Sequence, residues 1–194
     1  SMLMKTSPAD LSTNLKINFN HMNHFAEIAP NIYYVGANDR KTHKFEALWP
    51  LPYGVSYNSY LIVDEKVALI DTIEASCTEA YLENIRHILD GRAIDYLVIN
   101  HMEPDHSASI AAVRQAYPAV RIVGNAKTLQ MIGGFYGIAG GTVEVKEGDV
   151  LEIRFGSRVG RYRIVSVREV VRKESAAEMY RVLEEDEETL RQRQ

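Results

Sequence analysis

Cysteine is almost missing from this sequence: Cys77 is the single one among 194 residues. One thiol excludes an intramolecular disulfide and leaves no thiolate cluster for a metal within one chain. Its place near an expected helix start favours a lowered pKa, although an ordinary semi-buried thiol is the simpler reading. Long apolar runs are missing too, and none approaches the roughly 20 residues that a bilayer-spanning helix needs. No signal peptide is recognisable, because Met2-Leu3-Met4-Lys5 leads into polar residues. A cytoplasmic, non-membrane protein is expected. A strong charge excess is also lacking, and the net charge of −4 gives no global attraction to nucleic acid or membrane. The apolar share of 46% and charged share of 25% are ordinary for a globular chain. The length suits one sizeable domain, or one domain with a small appendage.

What the chain does have is a dense cluster of ligand chemistry at Asn100-His101-Met102-Glu103-Pro104-Asp105-His106. It follows the apolar run Ile94-Asp95-Tyr96-Leu97-Val98-Ile99, which reads as a buried strand. It precedes Ser107-Ala108-Ser109-Ile110-Ala111-Ala112-Val113, which reads as the first turns of a helix. A strand-to-helix loop at a strand's carboxyl end is where scaffolds of this kind carry binding and catalytic groups. Pro104 pushes Glu103 towards an extended conformation, and alternate side chains of an extended segment share a face. His101, Glu103 and Asp105 are therefore expected to converge, with His106 joining if the chain turns into its helix there. No Lys or Arg lies between residues 93 and 113, so the two carboxylates need a cation between them. Mixed imidazole and carboxylate donors suit iron, manganese or zinc. His101, Glu103, Asp105 and His106 are the candidate metal ligands, and a solvated polar loop that caps the next helix is the alternative.

Around this loop the pattern is layered. Residues 1–27 are polar and irregular, with His21 and His24 three apart as expected surface residues. Asn31 to Gly36 reads as a strand, and the following loop carries Asp39, Arg40, an exposed His43 and Trp49 as a packing anchor. Ser56–Val63 and Lys66–Asp71 read as a hairpin turning at Asp64-Glu65. Ser76-Cys77-Thr78-Glu79 has the capping-box pattern, opening a helix with Tyr81, Leu82, Ile85, Ile88 and Leu89 on one face. Gly91 is its natural stop. Val120–Val123 is a further strand, and Ala126–Ile132 a short helix ended by Gly133-Gly134. Strands alternating with helices give an α/β layered fold.

His101-x-Glu103-x-Asp105-His106 resembles the first metal motif of the flavodiiron proteins, which use a metallo-β-lactamase-like domain. The zinc hydrolases of that fold carry His where Glu103 stands, and the carboxylate suits a non-haem di-iron centre. The resemblance extends to Val35-Gly36-Ala37-Asn38-Asp39, Trp49-Pro50-Leu51-Pro52, Gly54 to Ile62 and Ala68-Leu69-Ile70-Asp71-Thr72, covering about residues 28–150. It implies a partial αββα sandwich. It also implies that His101 and Glu103 bind one iron and Asp105 and His106 the other. The family reduces dioxygen to water or nitric oxide to nitrous oxide. Its electrons come from FMN in a separate flavodoxin-like domain, and donors such as flavodoxin or rubredoxin are its implied partners.

The later ligands of that pattern, a His, a bridging Asp and a final His, have no counterpart here. No histidine follows His106, and Asp149 and Asp186 are the only later aspartates. No flavodoxin-like FMN domain is present in the sequence. Residues 1–150 carry 12 Lys/Arg against 17 Asp/Glu, whereas residues 151–194 carry 10 against 9. In this basic tail, Val150–Phe155 and Tyr162–Val167 read as strands around a Gly156–Gly160 turn, and Glu174–Leu183 reads as a helix. Gly148–Ile153 with Ser175–Tyr180 is similar to part of S4-type RNA-binding proteins of the heat-shock 15 kind, which implies a join near Glu147-Gly148-Asp149. Arg161 and Arg163 are then candidate RNA contacts. The expectation is an incomplete metallo-β-lactamase-like half plus a small β-rich tail. Such a half leaves an apolar face open, so self-association is expected. Little retained metal and little turnover by the chain alone are expected as well.

Overall fold

The computed structural model describes residues 25–39, 44–45, 49–50, 54–155, 158–168 and 173–185. The readings placed on His21, His24, His43 and the side chain of Trp49 lie outside the described residues.

In chain order the elements are β1 (Ala26–Ala29), β2 (Ile32–Tyr34), β3 (Ala37–Asp39), β4 (Lys44–Phe45), β5 (Trp49–Pro50), β6 (Val55–Tyr57), β7 (Tyr60–Val63) and β8 (Val67–Ile70). Then follow α1 (Thr78–Leu89), β9 (Tyr96–Val98), α2 (Pro104–Ser107), α3 (Ile110–Ala116), β10 (Arg121–Gly124), α4 (Ala126–Tyr136) and β11 (Thr142–Glu144). The tail holds β12 (Val150–Phe155), β13 (Arg158–Ile164), α5 (Lys173–Ala176) and β14 (Tyr180–Glu185). The main sheet runs β1-β2-β7-β8-β9-β10-β11. Its first half is antiparallel and built from tight connections, whereas β8, β9, β10 and β11 are mutually parallel. Parallel neighbours need crossovers, and α1, then α2 with α3, then α4 supply them. The expected α/β layering is present.

The register shows where the core sits. Leu61, Leu69, Leu97 and Ile122 lie directly opposite one another across β7, β8, β9 and β10. All four are fully buried, in one cluster with Tyr81, Ile85 and Leu89 of α1, Ile110 and Val113 of α3 and Ile132 of α4. The opposite row of the same strands, Tyr60, Ile70, Val98 and Val123, is only half-buried. One face of the sheet is therefore sealed by helices, and the other is apolar yet partly open.

Several local expectations are corrected. Ala26–Ala29 is a strand paired with β2, although its composition reads as irregular. The strand expected over Ser56–Val63 breaks at Asn58-Ser59, with β6 pairing to β3 and only β7 pairing to β8. The capping box at Ser76 does not form: Glu74 accepts from the Ser76 N–H at 2.7 Å, and a short 3₁₀ turn, Ala75–Cys77, leads into α1. α4 runs through Gly133-Gly134 to Tyr136 and ends at Gly137 in the left-handed region (φ 67°). Asn125 accepts from the Thr128 N–H at 2.8 Å and caps the helix start.

The tail differs most. The helix expected over Glu174–Leu183 is confined to one turn, α5, and a 3₁₀ turn, Ala177–Met179. Tyr180–Glu185 is instead a strand, and the β12-β13-β14 order makes a separate antiparallel sheet. Ser-Ala-Ala-Glu has helical propensity, but Tyr180 and Val182 fall opposite Ile164 and Tyr162, and cross-strand pairing prevails. Leu151 pairs with Tyr162 and Ile153 with Gly160, so one face of this sheet carries Leu151, Ile153, Tyr162, Ile164, Tyr180 and Val182. The other presents Glu152, Arg161, Arg163 and Arg181. Gly160 leaves room for the Tyr162 ring, since a Cβ there would lie 2.7 Å from Tyr162 Cζ and the ring would have to shift. Among the described residues, no helix is long and apolar enough to cross a membrane.

Candidate metal centre

The ligand loop begins where β9 ends. Ile99 donates its N–H to the Val123 carbonyl at 2.9 Å, which holds the loop's start against β10. Glu103 is extended (φ −64°, ψ 150°), as the following proline demands. Pro104 then opens α2, a position where its missing N–H costs nothing. The extended alternation expected for His101, Glu103 and Asp105 therefore stops at Glu103. Asp105 and His106 rise instead from the first turn of α2.

The structure gathers the four candidates as two pairs. His101 Nε2 lies 3.2 Å from Glu103 Oε2, and these side chains are 46% and 56% exposed. His106 Nε2 lies 3.5 Å from Asp105 Oδ2, with exposures of 23% and 17%. The pairs meet through the two imidazoles, whose ring centroids are 5.4 Å apart in an edge-on contact. One pair is thus presented to solvent and the other is set against the protein. Ser107, next in α2, donates to the Met102 carbonyl at 2.9 Å and receives the Tyr136 hydroxyl at 3.1 Å, which ties the loop to the end of α4.

Two residues outside the motif organise it. Asp71 follows β8, which lies beside β9, and it sits in the left-handed region at φ 55°, a conformation that Asp tolerates better than most residues. Its N–H donates to the Val98 carbonyl at 2.8 Å. Its Oδ1 accepts the Asn100 backbone N–H at 2.7 Å, and its Oδ2 accepts from the Asn100 side chain at 3.4 Å. Ser59 Oγ and the buried Tyr81 hydroxyl both donate to the Asp71 carbonyl, at 3.1 and 3.3 Å. Burial pushes the Asp71 carboxyl above its ordinary value, while the Asn100 N–H and His106 act in the opposite direction. Thr72, fully buried, donates both its N–H and its hydroxyl to the His106 carbonyl, each at 2.8 Å. The sequence assigns Asp71 and Thr72 no role at the site; the β8–β9 parallel pairing is what sets both strand ends at one place.

Whether an ion fits is answered by what the site leaves unsatisfied. Asp105 Oδ1 and His106 Nδ1 are buried without a hydrogen-bond partner, a state that costs about 1–3 kcal/mol for each group. A cation at Asp105 would offset that cost. Nitrogen and carboxylate donors together suit a first-row divalent ion. The number of donors is the limit: among the described residues, no group of three or more His, Cys, Asp and Glu is arranged to hold a metal ion. The four side chains stand as two pairs and not as one closed donor set. They do not fit two bridged ions.

Comparison with known proteins gives the family. The chain is similar to a flavo-diiron protein of Clostridium acetobutylicum, 39% identical over 97 residues, which is 50% of this chain and 24% of that protein. It is 34% identical over 134 residues to the anaerobic nitric oxide reductase flavorubredoxin of Aliivibrio fischeri, covering 68% of this chain and 27% of that one. Among solved structures, the rubredoxin:oxygen oxidoreductase of Desulfovibrio gigas matches with a TM-score of 0.63 at 31% identity, over 72% of this chain and 34% of that one. The chain thus spans about a quarter of the length of these curated relatives, and the part matched is their metallo-β-lactamase-like, di-iron part. The likeness of the tail to S4-type RNA-binding proteins is not borne out. A model described as the ODP family beta lactamase matches residues 55–161, which include 147–149, all of β12 and the start of β13. With more than half of the chain inside that match, this chain belongs to the ODP family of β-lactamase-like domains, the metallo-β-lactamase-like domain of the flavodiiron proteins.

Proposed function

We propose that this chain is a flavodiiron-type metal-binding domain in which His101, Glu103, Asp105 and His106 hold one divalent iron weakly. The observation that carries this reading is the orphaned buried oxygen Asp105 Oδ1 beside two imidazoles. His101 and Glu103 act as the solvent-facing half, and Asp105 and His106 as the anchored half. When bound, the ion supplies redox chemistry towards a diatomic such as dioxygen or nitric oxide. The chain's own residues orient the ion from one side and leave its other side open. A full two-metal centre needs donors that these four do not supply, so oxygen or nitric oxide reduction by this chain alone is absent or very weak. Flavodoxin or rubredoxin is the proposed electron donor, since relatives are named for rubredoxin, and the cytoplasm the proposed location. The chain divides near residue 150: the seven-stranded sheet ends at Glu144, and the three-stranded sheet begins at Val150.

The test is metal content and turnover of the chain purified without oxygen and without a His tag. Substoichiometric iron is expected, rising to one equivalent when ferrous ion is added. With reduced flavodoxin supplied, oxygen or nitric oxide consumption should stay at background. Robust multiple turnover would overturn the single-ion reading.

Self-association is the second part of the proposal. The tail face of Leu151, Ile153, Tyr180 and Val182 is exposed and holds no charged side chain among those described. An uncharged apolar face suits a second copy, because like faces meet without repulsion. Sedimentation should show a concentration-dependent dimer, and Leu151→Glu/Ile153→Glu should sediment as a monomer. A wild-type chain that stays monomeric at every concentration would remove this proposal.

A further inference from the structure

The described sheets end in strands of unequal regularity. In the main sheet the outer strands are β1, four residues with a register shift between Glu27 and Ala29, and β11, three residues. The strands of the two small sheets are no longer than three residues. In the tail sheet, β14 is six residues long, but its pairing with β13 shifts between Arg161 and Tyr162, and its sequence ends in Glu184-Glu185. β12 differs from all of these. Its six residues, Val150-Leu151-Glu152-Ile153-Arg154-Phe155, pair with β13 without a shift and include no proline or glycine. Among the described residues, no strand lies on its other side. The unpaired N–H and C=O groups of a regular edge are a template for another strand.

The sequence of β12 is complementary to itself. Two copies running antiparallel about a two-fold axis are centred on a single residue. Centring on Glu152 sets two glutamates directly opposite, and centring on Arg154 sets two arginines opposite; like charges so placed destabilise a ladder. Centring on Ile153 sets Ile153 against Ile153, Glu152 against Arg154 and Leu151 against Phe155. The register within each copy extends this pattern, since Arg161 stands opposite Glu152 and Val159 opposite Arg154. Charges then alternate in sign along the row of Arg161, Glu152 and the Arg154 of a second copy. We propose that β12 pairs antiparallel with β12 of a second copy, centred on Ile153, so that two tails make one six-stranded sheet. This rests on the self-association reading above and names the strand that carries it. Leu151 and Ile153, exposed in the single chain, would lie beside their copies on one continuous apolar face.

The test uses the full chain with Cys77→Ser, carrying either Ile153→Cys or Leu151→Cys, under mild oxidation. Directly opposite residues of neighbouring antiparallel strands lie about 4.5–5.5 Å apart at Cα, within the span of a disulfide. Ile153→Cys should therefore link two chains. The two copies of residue 151 would stand roughly 13 Å apart along the strands, so Leu151→Cys should stay unlinked. Stacked sheets lie about 10 Å apart, too far for either position to link. Any pattern other than linking at 153 alone overturns the edge pairing, and a dimer that persists without it is held by face contact. Arg154→Glu, with Cys77 and Ile153 intact, sets glutamate opposite glutamate twice in the dimer. Sedimentation should show dimerisation weakened by at least about tenfold, while Val159, opposite residue 154 within the chain, meets no new charge conflict. An unchanged dimer in Arg154→Glu overturns the register. A wild type that stays monomeric removes the self-association reading first, and this proposal with it.

Discussion

A His101→Ala/His106→Ala variant is expected to lose cobalt(II) affinity by at least about 100-fold, because it removes both imidazoles, whereas a single outer carboxylate is worth about 10- to 100-fold. The remaining donors, Glu103 and Asp105, belong to different pairs, and only His101 and His106 bring those pairs together. The double loss should therefore exceed what either single variant shows. His101→Ala alone should be the milder change, since that side chain stands in solvent. Ligation requires neutral imidazole and ionised carboxylate, so wild-type affinity should fall as the solution is acidified. The variant, with carboxylates alone, should bind weakly at every pH. Isothermal titration under argon reads both effects. Equal affinity in wild type and variant would place the ion elsewhere.

The second large effect lies away from the site. Leu97→Ala should destabilise the chain by about 2–5 kcal/mol, the range for leucine-to-alanine changes in a packed core. Leu97 is the middle of the row Leu69, Leu97, Ile122, and it is fully buried beneath the helices. Three strands share its contacts, so the neighbourhood has little freedom to collapse into the gap. Leu151→Ala, on the exposed tail face, should change stability by no more than about 0.5 kcal/mol in the monomer. Urea midpoints of the two variants, measured at low protein concentration, give the comparison. Similar costs at both positions would mean that the tail sheet is covered.

The ligand loop was legible in the sequence because its parts are local. Proline fixes the residue before it, and the apolar run before Asn100 marks the strand. The support at Asp71 and Thr72 was not legible as a function: it is separated from the loop by a whole helix, and only the β8–β9 register joins them. The helix expected over Glu174–Leu183 is too long for the opposite reason. Local propensity favoured a helix, while Tyr180 and Val182 were committed to partners on β13 that no short window contains. Gly133-Gly134 misled in the same way, since a glycine pair stops a helix only when nothing beyond it holds the helical turn. Here Tyr136 is held by Ser107.

That last bond has a further consequence. Two glycines in a helix interior each give up roughly 1 kcal/mol relative to alanine, and Gly134 has open space around it. The final turn of α4 therefore has less helix propensity than its first, and its hold on the ligand loop rests on the Tyr136 hydroxyl at Ser107, whereas Thr72 holds the His106 carbonyl from the sheet.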